Sequence, residues 1–230
     1  MTRVAIIAAM PGELQPFVRG WPHSSRNGIR FWAQRNKEEE WMAACSGAGQ
    51  AAATRAFAGI EDGGPVDLVF SVGWAGALRA EIATGSAHNV AGVIDVSTGE
   101  RFHCEAGAGD LWLATSPCVA GEAEKRRLDE TYGAALVDME AAAIARLAAM
   151  RGIPFYAIKG VSDGFNARLP DFNPFLAADG SFRLIPFALF SVVRPWYWPA
   201  LIRMGENSKR ASQGIAALLC EFLMEQPSDA

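Results

Sequence analysis

Between Val137 and Asp163 the chain reads as one buried helix followed, after a short turn, by one buried strand. This unit restricts the architectures open to it. Met139 to Met150 is dense in Ala, Leu and Ile, which favour helix and here leave it apolar on more than one side. Asp138 stands at the helix entrance, and Gly152 and Pro154 close it. Pro154 to Val161 is then an apolar run of strand length. A strand of this kind beside such a helix calls for a layered α/β fold, in which ligands sit outside the carboxyl ends of strands. Glu140 and Asp163 stand at the two ends of the unit, where a fold can bring both to the rim of one pocket. Read more simply, Glu140 is a first-turn carboxylate favoured by the helix dipole, and Ser162-Asp163-Gly164 is a polar turn.

The alternation continues along the chain. Strands are expected at 3–9, 30–36, 41–45, 66–72, 89–96 and 153–161. Helices are expected at 12–19, 49–60, 121–131, 139–151 and from about 205 to 224. With no repeat or linker, 230 residues suit one α/β domain over 1–230. Tight glycine turns are expected at Ser46-Gly47-Ala48-Gly49, Gly63-Gly64-Pro65 and Gly73-Trp74-Ala75-Gly76. Gly47 and Gly49 lie between a strand and an Ala-rich helix, where backbone N–H groups can receive an anion or simply turn the chain. Gly73 and Gly76 would let a flat ligand approach the backbone, or serve packing alone.

Half of the residues are hydrophobic, a fifth are charged and the net charge is −4, which offers no attraction for nucleic acid phosphates. Cys45, Cys104, Cys118 and Cys220 are far apart and form no C-x-x-C pair, so neither a metal site nor a disulfide framework is expected. A reducing cytoplasm fits that usage. Val4 to Met10 is stopped by Pro11, Gly12 and Glu13, well short of a signal segment, and reads as the first strand. No uninterrupted apolar stretch of about 20 residues occurs, so the expectation is a soluble or at most peripheral protein.

Five segments, taken in order, carry a resemblance: Ile6-Ile7-Ala8-Ala9-Met10-Pro11-Gly12-Glu13, Cys45-Ser46-Gly47-Ala48-Gly49, Val72-Gly73-Trp74-Ala75-Gly76-Ala77-Leu78, Val137-Asp138-Met139-Glu140-Ala141 and Val161-Ser162-Asp163. Together they resemble the nucleoside phosphorylase superfamily, in particular its methylthioadenosine/S-adenosylhomocysteine nucleosidase branch. The resemblance implies a single domain with a central mixed β-sheet flanked by helices, a homo-oligomer, no cofactor, and cleavage of the bond between a sugar and a purine. It implies that Asp163 protonates the departing base with Ser162 orienting it. Glu140 and Met139 would hold the ribose, and Glu13 would activate the attacking water. The chemistry asks for the same types of residue. A purine leaves readily only when protonated, a carboxylate can bind two ribose hydroxyls, and a second carboxylate can act as base to water.

The departures also matter. Phosphorylases of this superfamily hold phosphate with arginines and a serine, whereas here Pro16, Ser71 and Trp74 stand at those places. An anion then lacks its usual cations, unless Arg19, Arg30 or Arg35 substitutes. Hydrolysis is the preferred expectation. The alternatives are phosphorolysis with phosphate as co-substrate, and a nucleoside-binding protein without catalysis. Asp138 replaces a longer Glu, Val119 takes the place of a base-stacking aromatic, and Phe102-His103 resemble a segment bordering the sugar site. The apolar segment at about 169–204 resembles, more loosely, a hopanoid-associated branch whose implied substrate is an adenosyl group on a polycyclic lipid. Phe187 to Met204 concentrates apolar residues around Arg194 and Arg203, suiting either an interfacial, membrane-contacting segment or one packed over the core or a subunit interface.

Overall fold

The computed structural model describes residues 1–225 apart from 36–37, 106–108 and 178. Its elements are β1 (Thr2–Ala8), α1 (Pro11–Leu14), β2 (His23–Arg26), β3 (Ile29–Arg35), β4 (Glu39–Cys45), α2 (Gln50–Glu61), β5 (Leu68–Ala77) and β6 (Ala87–Asp95). They continue as β7 (Arg101–His103), β8 (Leu111–Thr115), α3 (Glu122–Tyr132), β9 (Leu136–Asp138), α4 (Ala141–Arg151), β10 (Phe155–Asp163), α5 (Leu184–Val192) and α6 (Trp198–Glu225). Short 3-10 turns lie at Asn173–Phe175 and Pro195–Tyr197.

The strands form one mixed sheet flanked by helices. β4, β1, β5 and β10 run parallel, and β3 and β2 extend the β4 edge antiparallel. On the other side the sheet closes on itself, because β5, β10, β6, β8 and β9 pair successively and β9 returns to β5. β1 shows why its run is continuously apolar. Ala5 and Ile7 pack with Ala53, Phe57 and Ile60 of α2, while Val4 and Ile6 pack on the opposite face with Leu14, Phe70 and, from α6, Ile215 and Leu219. A strand covered on both sides has no polar face to alternate with. α6 seats Ala211, Ile215 and Leu219, one turn apart, against the sheet. A side chain at Gly160 would begin 2.7 Å from the Ala211 Cβ, so the helix lies unusually close to β10.

Several expectations are corrected. The helix expected at 12–19 is the single turn Pro11–Leu14, because Pro16 cannot donate to the helical ladder and biases the preceding residue away from helix. The expected turn Gly73–Gly76 is the interior of β5, whose ladder to β10 runs on through it. The helix expected from 139 begins at Ala141, with Glu140 as its N-cap. The C-terminal helix begins earlier, at Trp198. Residue 36 of the strand expected at 30–36 lies outside the described residues, and the strand is Ile29–Arg35. β2, β7, β8, β9 and α5 were not anticipated.

The segment 169–204 resolves into the two 3-10 turns and α5. Phe175, Phe182, Phe187 and Phe190 pack with tilted or edge-to-face rings at 5.2–6.4 Å, while Leu184, Ile185, Leu189 and Val192 are exposed. Among the described residues no helix is long and apolar enough to cross a membrane.

Candidate active site

Glu13 is buried, although it belongs to a single helical turn, because backbone donors surround it. Its Oε2 accepts the N–H groups of Ala9 (2.8 Å) and Met10 (2.7 Å), and its Oε1 accepts that of Trp74 (2.8 Å). Burial nevertheless raises its pKa above the ordinary carboxylate value. Gly73 makes this approach feasible. Its φ is +150°, and a side chain there would begin 2.8 Å from Glu13 Oε1. The flat ligand considered for this glycine is therefore the protein's own carboxyl group.

The same holds for the loop before α2. The Gly49 N–H, at the helix N-terminus, donates to Glu140 Oε1 (2.6 Å), so the group received there is a side-chain carboxyl. Gly47 (φ +107°) serves a close approach, since a side chain would begin 2.5 Å from the Gly180 carbonyl oxygen, which accepts the Ala48 N–H (2.8 Å). Asp138 is buried beneath Glu140. It accepts the Thr115 hydroxyl (2.7 Å) and the Ala141 N–H (3.0 Å), and pairs at 2.9 Å with Nζ of Lys159. Lys159 is 1% exposed and also donates to Ser71 Oγ (3.1 Å). Ser71, standing where a phosphate-binding arginine was expected, thus supports a buried lysine.

Ser162 donates to Asp163 Oδ1 (2.7 Å), and Nζ of Lys125 bonds Asp163 Oδ2 and the Gly164 carbonyl (2.8 Å). Glu13, Glu140, Met139, Ser162, Asp163, Gly76 and Val119 line one cavity of about 180 Å³, with Met10, Trp74, Lys125 and Asp138. The segment after β10 braces its walls. Asn173 accepts the Val119 N–H (2.8 Å) and donates to the Val119 carbonyl (3.1 Å), while Gly180 holds the opposite loop through Ala48. A larger cavity of about 610 Å³ lies on the far side of Ser162 and Asp163 and contains neither Glu13 nor Glu140.

Other residues are not brought in. Phe102 packs against the core with the Arg146 guanidinium over its ring, and His103 meets the edge of Trp112; neither lines the cavity. Their position on β7, paired with the outer side of β6, turns them away. Arg19, Arg30 and Arg35 do not line it either; Arg30 lies over Trp32 and Arg35 pairs with Glu40. Lys125, Lys159 and Asn173 escaped the sequence reading. A lysine in a charged helix, a lysine in a strand and an asparagine in a loop carry no local pattern that distinguishes them from exposed residues.

The Glu140 pKa is raised to about 8, first by burial and then by the neighbouring Asp138 charge, with Lys159 acting in the opposite sense. The folded chain therefore holds this proton more tightly than the unfolded one. Stability from this group is full below about pH 4.5 and is lost as pH rises through about 8. The urea midpoint should accordingly fall between about pH 5 and pH 8, and Glu140→Gln should flatten that fall. Parallel slopes in the two proteins would show that the carboxyl is not held neutral.

Residues 89–179 match the family model described as the phosphorylase superfamily. No curated protein matches the sequence significantly. Solved structures of similar fold include S-adenosylhomocysteine nucleosidase from Streptococcus pyogenes, at 18% identity over 98% of both chains with a TM-score of 0.74. They also include a futalosine hydrolase mutant of Helicobacter pylori, at 15% identity over 98% of this chain and 100% of that one, TM-score 0.73. A third is 5′-methylthioadenosine nucleosidase of Arabidopsis thaliana, at 16% identity over 98% and 97%, TM-score 0.73. The chain therefore has the nucleoside phosphorylase-like fold, and its residues 89–179 carry the sequence pattern of the phosphorylase superfamily.

Proposed function

We propose that the chain is an enzyme that hydrolyses the N-glycosidic bond of a purine nucleoside, an adenosine modified at its 5′ position. One observation carries this reading: Glu13, Glu140 and Asp163 converge on a cavity that no arginine lines among the described residues. Glu13, fixed by three N–H groups, is the base to water, its raised pKa suiting it to hold a proton after the attack. Glu140 and Met139 take the ribose. Charge developing on the sugar strengthens the hydrogen bonds between its hydroxyls and Glu140 in the transition state. Asp163, oriented by Ser162, delivers a proton to the base, and Val119 bounds the base site. The structures of similar fold are nucleosidases and a hydrolase by name, which agrees with this chemistry.

Ligand sites usually measure about 300–1,000 Å³. A nucleoside held by these acids therefore extends beyond this cavity of about 180 Å³. We favour a lipophilic 5′ group, on the ground of the exposed apolar face of α5. Trp196 and Trp198 are exposed and do not line the cavity, so they belong to this outer surface. The protein is taken to work as a cytoplasmic homo-oligomer without a cofactor, with peripheral membrane contact through the same face.

In phosphate-free buffer, adenine and free sugar should be released from methylthioadenosine or a lipophilic adenosyl compound. Glu13→Gln should lower that release by about 10²–10⁴-fold. Strict phosphate dependence with a sugar 1-phosphate product would replace hydrolysis by phosphorolysis. Binding without any adenine release would leave a nucleoside-binding protein.

A further inference from the structure

Lys125 lies in the charged helix α3 beside Arg126 and Arg127, yet it behaves differently from both. The two arginines are exposed and pair along the helix with Glu122 and Glu124. Lys125 is 3% exposed, whereas an ammonium is strongly hydrated and seldom buried without a reason. A buried ion pair adds little net stability over apolar packing, so stability alone does not account for a lysine here. Its surroundings are specific. Nζ bonds Asp163 Oδ2 and the Gly164 carbonyl, and a side chain at Gly76 would begin 3.2 Å from both Nζ and Oδ2. The other Asp163 oxygen accepts the Ser162 hydroxyl. Both carboxyl oxygens are thus acceptors, the pattern of an ionised group, which has no proton of its own to give. The nearest one is on Lys125, whose side chain stands behind that of Asp163 at 4% against 17% exposure.

We propose that Lys125 supplies the proton that Asp163 hands to the departing purine, an inference that rests on the glycosidic-cleavage reading above. As the bond from the sugar to purine N9 breaks, its electron pair goes to the base. Asp163 gives a proton to the base at N7, and the Lys125 ammonium gives one to Asp163 Oδ2, leaving a neutral amine. The water oxygen bonds the sugar carbon and its proton goes to Glu13. One water is consumed, and solvent returns the Glu13 proton to Lys125. Lys125 is thus a positioning and proton-supplying residue acting through Asp163.

The test compares the wild type, Lys125→Arg and Lys125→Met on a purine nucleoside and on p-nitrophenyl riboside, whose phenolate departs without protonation. Arginine keeps the charge but does not release a proton in a protein. Lys125→Arg should therefore lower kcat on the nucleoside by about 10–10²-fold, with KM little changed, while turnover of the riboside stays within about threefold. Lys125→Met should show the same selectivity with a larger loss. Full nucleoside turnover in Lys125→Arg would overturn proton supply, and equal losses on both substrates would reduce Lys125 to a structural role. A wild type that cleaves neither compound would remove the glycosidic reading itself.

Discussion

Asp163→Asn is expected to lower purine release by about 10²–10⁴-fold while leaving the fold and most of the nucleoside affinity in place. The amide keeps an oxygen that can accept the Ser162 hydroxyl, so the local geometry survives. What it loses is the ability to carry a proton from the buried ammonium of Lys125 to the base. The loss should fall on kcat, because leaving-group protonation develops in the transition state and contributes little to ground-state binding. Adenine release gives kcat, and calorimetry with a non-cleavable nucleoside gives affinity. An Asn variant as active as the wild type would withdraw the assignment of Asp163, and with it the role argued for Lys125.

Lys159→Met is expected to have the largest effect on stability. Met fills a similar volume, but among the described residues it leaves Asp138, which has no side-chain exposure, with the Thr115 hydroxyl and the Ala141 N–H. Removing one partner of a buried ion pair costs about 3–5 kcal/mol. That is a large part of the roughly 5–15 kcal/mol that holds a typical domain together. Adding Asp138→Asn removes the stranded charge and should recover part of the loss, so the double-mutant cycle should give a coupling well above that of distant sites. Urea denaturation of the four proteins measures it. A Lys159→Met protein destabilised by less than about 1 kcal/mol would show that Asp138 finds another way to satisfy its charge. The same substitution removes the cation that opposes the rise in the Glu140 pKa, so the loss of stability with pH should also continue above about pH 8.

The two lysines show where sequence reading stops. Helix and strand periodicity assigns α2, α3, α4, most of β1, β3, β4, β6 and β10 and the first half of β5, because burial against a sheet leaves a period of 3.6 or an unbroken apolar run. It misses β7 and β9, whose three residues are too few for a period and are strands only because β6, β8 and β5 present edges to them. It also reads Gly73–Gly76 as a turn, since glycine marks turns far more often than it admits a buried carboxyl from another element.

What the sequence determined by itself was the α/β alternation, the acidic residues at the ends of its elements and the glycines beside them, all of which follow from local propensity and pattern. Only the tertiary structure decided that Glu13, Glu140 and Asp163 face one cavity, and that Gly49 and Trp74 spend their N–H groups on the protein's own carboxylates. It alone decided that Lys125 is buried against Asp163 and Lys159 against Asp138. The reason is physical. A charged side chain carries the same local preference whether it meets water or a counter-ion, and which of the two it meets depends on strands and helices that are remote in the chain. Here β5, β10, β6, β8 and β9 must close on one another before either lysine has an interior to occupy.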